Sequence, residues 1–155
     1  MSKIVAILLA GFVSGALDLL SAFASYVSQG ATVEGILKYI ASGIVGPTAP
    51  QGGIAMACFG LFMHFALTTA MAAIFMIAAM KINFLTTRTW VAAVIYGVIT
   101  WAAMVYFVVP FSAVAGWNLP HGWSIVSGLL AHVFYIGVPI AHITEFALRD
   151  PKRLA

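Results

Sequence analysis

Four apolar stretches, roughly residues 4–28, 53–80, 90–111 and 123–148, constrain this chain more than anything else in it. A helix needs about 20 predominantly apolar residues to cross the hydrocarbon of a bilayer, and each stretch reaches that length. Lipid offers no partner to a backbone N–H or C=O, so a spanning segment satisfies its own by folding as a helix. The expected fold is all-α membrane: a four-transmembrane-helix bundle forming a single domain over residues 1–155. Charge agrees, since 7% of the residues are charged whereas a soluble domain carries about 25%. Lys3 ahead of the first stretch resembles the start of a signal peptide. That stretch is too long for one and is interrupted by Asp18, so it reads as a retained span. The single cysteine, Cys58, excludes an internal disulfide and reads as a small packing residue.

Basic residues set the expected orientation. With the N-terminus in the cytoplasm, Lys3, Lys81, Arg88, Arg149, Lys152 and Arg153 all fall inside and only Lys38 outside. Cytoplasmic loops collect Lys and Arg, so both termini are expected in the cytoplasm. The net charge of +3 is thereby explained by topology and lipid headgroups. No basic patch interleaved with aromatics points to nucleic acid, and none is expected as a partner.

The two outer connections differ. Between spans one and two, Val33, Ile36, Leu37, Ile40 and Ile44 recur at helical spacing with Glu34, Lys38 and Ser42 between them. This predicts a short amphipathic helix over about 32–45, lying in the membrane interface. Gly46, Pro47, Pro50, Gly52 and Gly53 then break it and turn the chain back. The second connection, from Ser112 to His121, contains Trp117; with Trp123 it reads as an interfacial aromatic belt.

Three ionisable residues lie deep within the spans: Asp18, His64 and His132. Such groups cost about 2.5–3.5 kcal/mol or more each at the bilayer centre, and they mark functional sites by default. At 1.5 Å per residue they lie roughly 15, 17 and 14 Å from the outer ends of their helices, in one layer near the midplane. Thr100 and Trp101 reach the same level. This polar layer can hold a proton-carrying network, a metal or a cofactor; alternatively its members are interhelical glue worth about 1 kcal/mol. His142 and Glu145, three apart near the cytoplasmic end of the last span, form a secondary pair. It is either a solvated helix terminus or the inner end of a proton or ion path. His121 reads as an exposed loop residue.

Gly60-Leu61-x-x-His64 and Gly128-Leu129-x-x-His132 repeat one pattern in two helices of like direction, with Gly15 to Asp18 echoed faintly by Gly97 to Thr100. Two hairpins related by a pseudo-twofold axis along the membrane normal would produce it. The glycine four residues before each histidine shares its helix face and leaves room for a neighbouring backbone or a flat ligand. Gly11 and Gly15 form a GxxxG pair suited to packing.

The run from Val109-Pro110-Phe111 through Asn118-Leu119-Pro120 to Gly128, Ala131-His132, Ile143 and Arg149-Asp150 resembles the C-terminal part of the YagU-like family of poorly characterised bacterial inner-membrane proteins. The first half, with Gly15-x-x-Asp18, Ile40-Ala41-Ser42-Gly43 and Gly60-Leu61-x-x-His64, looks like small four-span proteobacterial proteins grouped with that family. The chain is shorter than typical members. The resemblance implies a bacterial inner membrane and four helices, and it carries over no activity, ligand or catalytic residue.

Three function classes follow. The leading one is a non-enzymatic membrane subunit or transport-related protein, oligomeric or joined to other membrane subunits, with Gly- and Ala-rich stripes such as Ala72, Ala73, Ala78 and Ala79 forming contacts between chains. In the second, His64 and His132 ligate one haem b between the helices. The third is an enzyme acting on a lipid or quinone, with Asp18 and His64 as a general acid–base pair. The chain has no HExxH, P-loop, GxSxG or CxxC.

Overall fold

The chain folds as an all-α bundle in a computed structural model that describes residues 1–149; Asp150, Lys152 and Arg153 of the basic tail lie outside the described residues. Among these, four helices are long and apolar enough to cross a membrane, over Lys3–Val27, Ile54–Ala79, Thr89–Val108 and Trp123–Leu148. The protein is therefore a multi-pass membrane protein. In chain order the helices are α1 (Lys3–Val27), α2 (Val33–Val45), α3 (Ile54–Ala79), α4 (Phe84–Thr87), α5 (Thr89–Ala103), α6 (Trp123–Ala131) and α7 (Val138–Leu148).

Local chemistry sets several of the boundaries. Ser2 caps α1 by accepting from the Val5 N–H at 3.3 Å, and Thr32 caps α2 by accepting from the Gly35 N–H at 3.0 Å. Gly46 ends α2 in the left-handed region, at φ +80°, where a side chain is disfavoured. The third span stops three residues before the expected 111, because Pro110 supplies no N–H to continue the ladder. The short α4, in the loop between spans two and three, has no apolar period and was not expected.

Spans three and four each contain a π-helical stretch, Met104–Val108 and His132–Gly137. The bond to the residue five back shows in Val109 N–H to Met104 C=O at 3.0 Å, and in Val138 N–H to Val133 C=O. Each stretch ends one residue short of its proline's neighbour, ahead of Pro110 and Pro139. A proline ring collides with the carbonyl four residues back, and a wider turn relieves the collision while keeping backbone groups bonded.

Span one lies between spans two and four, and span four continues round to span three. The buried core sits toward the end where α1 begins and α7 finishes, here termed the terminal end. It contains Ala10, Met71, Ala72, Phe75, Ala79, Ala92, Ala93, Ile136, Ile140 and Ala141. Its alanines let backbones close up: a Cβ on Gly137 would strike the Ala93 carbonyl, so spans three and four touch main chain to main chain. Ala72 and Ala79, expected to meet other chains, are consumed by this core. Cys58, expected to pack, is on the exposed side of α3.

α2 does not lie free of the bundle. It packs on the first turns of α3, where a Cβ on Gly60 would run into the Leu37 carbonyl. The space beside that glycine is thus filled by a neighbouring backbone. Gly11 and Gly15 seat α1 against Thr69, Thr68 and Phe65 of α3, a packing face fixed by the Thr68 hydroxyl donating to the Gly11 carbonyl at 2.9 Å.

Candidate functional site

Asp18 lies at the centre of the polar layer because α1 is shared by both halves of the bundle. On one side it meets α3: His64 Nε2 lies 4.0 Å from Asp18 Oδ2 and 2.9 Å from the Gly15 carbonyl oxygen. A carbonyl only accepts, so Nε2 carries the proton and donates it there. The Asp18 and His64 side chains are 23% and 11% exposed, so both sit largely out of solvent while the carboxylate keeps one open side.

That open side faces a cleft of about 560 Å³ between the second half of α1 and the first half of span four. Asp18 and His132 form its deep end, and Gln29, Trp123 and Ser124 its mouth. Toward the terminal end the space is closed by fully buried Ser14, Ala10 and Ile136. His132 uses Nδ1–H on the Gly128 carbonyl of its own helix at 3.0 Å. Its Nε2 has no hydrogen-bond partner among the described residues, which leaves an acceptor free at the cleft.

Serines coat the walls. On α1 and its capping residue they follow Asp18 at positions 21, 25 and 28, a spacing of three or four that keeps them on one face; Ser124 and Ser127 answer from α6. Several are satisfied locally, with Ser21 donating to the Asp18 carbonyl at 2.8 Å and Ser127 to the Trp123 carbonyl at 3.1 Å. The hydroxyls are thereby stable at membrane depth while presenting lone pairs to the gap. α6 has no buried residue, and the Trp101 indole rests against Gly128 from the α5 side. A second lobe of about 600 Å³ continues past Ser127 and Ala131 to Leu130, Phe134 and Tyr135, and is mainly apolar.

The structure thus joins Asp18 to His64 by contact and Asp18 to His132 by a shared cavity. It does not bring the two histidines to one pocket. His132 lines the cleft and His64 does not, and His64 spends its Nε2 inside the α1–α3 seam. Two axial ligands for one haem are not assembled by this geometry. Among the described residues no group of three His, Cys, Asp or Glu could hold a metal ion. Thr100 is likewise separate: its hydroxyl donates to the Tyr96 and Gly97 carbonyls of its own helix, both at 3.0 Å, and lines neither lobe.

At the terminal end, His142 and Glu145 engage other partners. His142 stacks edge-on against Trp90, with ring centroids 4.5 Å apart, and donates to the Val138 carbonyl. Glu145 pairs with Arg149 at 2.8 Å. This ion pair places a cation near the last carbonyls of the helix. The two repeats are also used differently. Gly97 packs on the main chain of His132 and Val133, whereas Gly15 packs on the Thr68 and Phe65 side chains; His132 turns to α1, and α2 has no counterpart in the second half. No protein-family model, no curated protein and no solved structure matches this chain.

Proposed function

We propose that the protein is a non-enzymatic, transport-related membrane protein in which Asp18, flanked by His64 and His132, carries a proton or cation at the bottom of a one-sided cleft. The observation that carries this reading is the one-ended cleft: a stripe of hydroxyls leads from Gln29 to Asp18 along an otherwise largely apolar wall, and the space then ends at an alanine-rich core. A group that only glued helices together would need neither the serine-lined approach nor the open side of its carboxylate. A site reached from one face and sealed from the other is one half of an alternating-access cycle, with the site near the midplane and part of its wall made by a broken helix. The π stretch at His132–Gly137 provides that irregular wall.

The family resemblance and the distribution of lysine and arginine support placement in a bacterial inner membrane with both termini cytoplasmic, which makes the mouth periplasmic. Four spans are few for a solitary transporter, and a homo-oligomer or a complex with other membrane subunits supplies the second half of the path. Proteoliposomes loaded with a pH-sensitive dye and energised by a potassium diffusion potential test the reading. Wild-type protein should acidify the lumen faster than Asp18→Asn. Equal rates for the two would contradict a proton-carrying Asp18.

A further inference from the structure

The two lobes of the cleft make unlike demands on an occupant. The first holds a carboxylate, hydroxyl oxygens and the carbonyl-bonded His132; the second offers Leu130, Phe134 and Tyr135. Among the described residues neither lobe is lined by a lysine or arginine, so the only formal charge presented to an occupant is that of Asp18. Trp123, 74% exposed at the mouth, lines both lobes, and Tyr26 stands across from it on α1. Aromatic faces attract ammonium groups, most strongly when partly desolvated. An anion would meet uncompensated repulsion here, and a neutral apolar molecule would strand the carboxylate.

We propose that the cleft binds an organic ammonium ion with an apolar body, its cationic nitrogen at Asp18 and its body in the Phe134–Tyr135 lobe. This deepens the transport reading by naming a ligand class. Ammonium of that form comes either from a free amphiphilic amine or from an ethanolamine lipid headgroup. The cleft lies between two spans, so both can reach it.

Benzyltrimethylammonium is the probe, titrated into detergent-solubilised full-length protein with tryptophan fluorescence and thermal stability as readouts. Wild type should bind it saturably, and benzenesulfonate, of similar size and opposite charge, should not bind. Asp18→Asn should weaken binding roughly tenfold or more, as expected for removing the carboxylate charge that attracts a quaternary cation with no N–H to donate. Trp123→Leu, at an exposed position that leaves the fold untouched, should weaken it about threefold by the stability readout. Should Asp18→Asn fail to fold, the Trp123→Leu and benzenesulfonate comparisons still decide. Binding of the sulfonate as tight as that of the ammonium, or unchanged affinity in both variants, would overturn the proposal.

Nanodiscs separate the two sources. Probe binding weakened tenfold in phosphatidylethanolamine, relative to a neutral glycolipid, assigns the site to the headgroup; equal binding assigns it to free amines. Equilibrium binding and proton flux fail independently. Flux that depends on Asp18 without probe binding would sink the ligand class alone, and probe binding without such flux would sink the transport reading alone.

Discussion

The contact between Asp18 and His64 should appear as a measurable coupling energy. Two full charges at the observed 4.0 Å would attract by about 4 kcal/mol at an effective dielectric constant near 20, which sets the ceiling. His64 already donates Nε2–H to the Gly15 carbonyl, so a neutral imidazole offers Asp18 only a polarised N–H pointing elsewhere. Polar pairs between membrane helices couple by about 0.6 kcal/mol on average and up to about 1.7 kcal/mol. The expected coupling is therefore about 1 kcal/mol. His64→Ala alone should cost about 2–4 kcal/mol, because it removes a bond and leaves a cavity in the seam. Asp18→Asn alone should cost less, since one side of that group is open. The assay is equilibrium unfolding in mixed micelles of wild type, both single variants and the double. The cavity cost cancels in the cycle, leaving the pair energy. Additivity within about 0.3 kcal/mol would mean that the two groups do not communicate. A value near 4 kcal/mol would instead establish a full ion pair.

Two further substitutions test how the helices are held. Gly60→Ala should push α2 off α3, because the new methyl meets the Leu37 carbonyl. A loss of about 1–3 kcal/mol in the same unfolding assay is expected, and no loss would refute the close approach. Thr68→Val keeps shape and removes the buried 2.9 Å bond to the Gly11 carbonyl; about 1 kcal/mol should go with it. An unchanged midpoint would show that this bond adds nothing to the α1–α3 seam.

Much of this was legible in the chain because lipid restricts the choices. The four spans were readable to within a residue or so at seven of eight ends, since twenty apolar residues have one structural outcome in a bilayer. The exception, the end of span three, was shortened by Pro110. The π turns were missed although Pro110 and Pro139 announced them: proline shows where a helix must adjust, and only packing selects a wide turn over a kink. Asp18, His64 and His132 stood out by cost of burial, but depth along a helix fixes no direction around it. For that reason Thr100 shared their level without meeting Asp18, and His64 reached Asp18 without lining the cleft that Asp18 shares with His132. The serine stripe from Asp18 to Ser28 was visible at spacings of three and four. It was passed over because serine bonds so readily to its own helix that it carries little signal alone. The space beside Gly60 held no information about its occupant until α2 was seen in it.

Accessibility along the cleft is the most direct check. Ser127→Cys and Ser25→Cys line the approach to Asp18, and Ala93→Cys lies in the sealed core. In a Cys58→Ala background, with the membrane intact, an impermeant maleimide should modify Ser127→Cys and Ser25→Cys from the face opposite the termini. It should leave Ala93→Cys untouched from either face. Protection of both cleft cysteines, or reaction of all three alike, would contradict a serine-lined cleft that reaches Asp18 from one side and ends there.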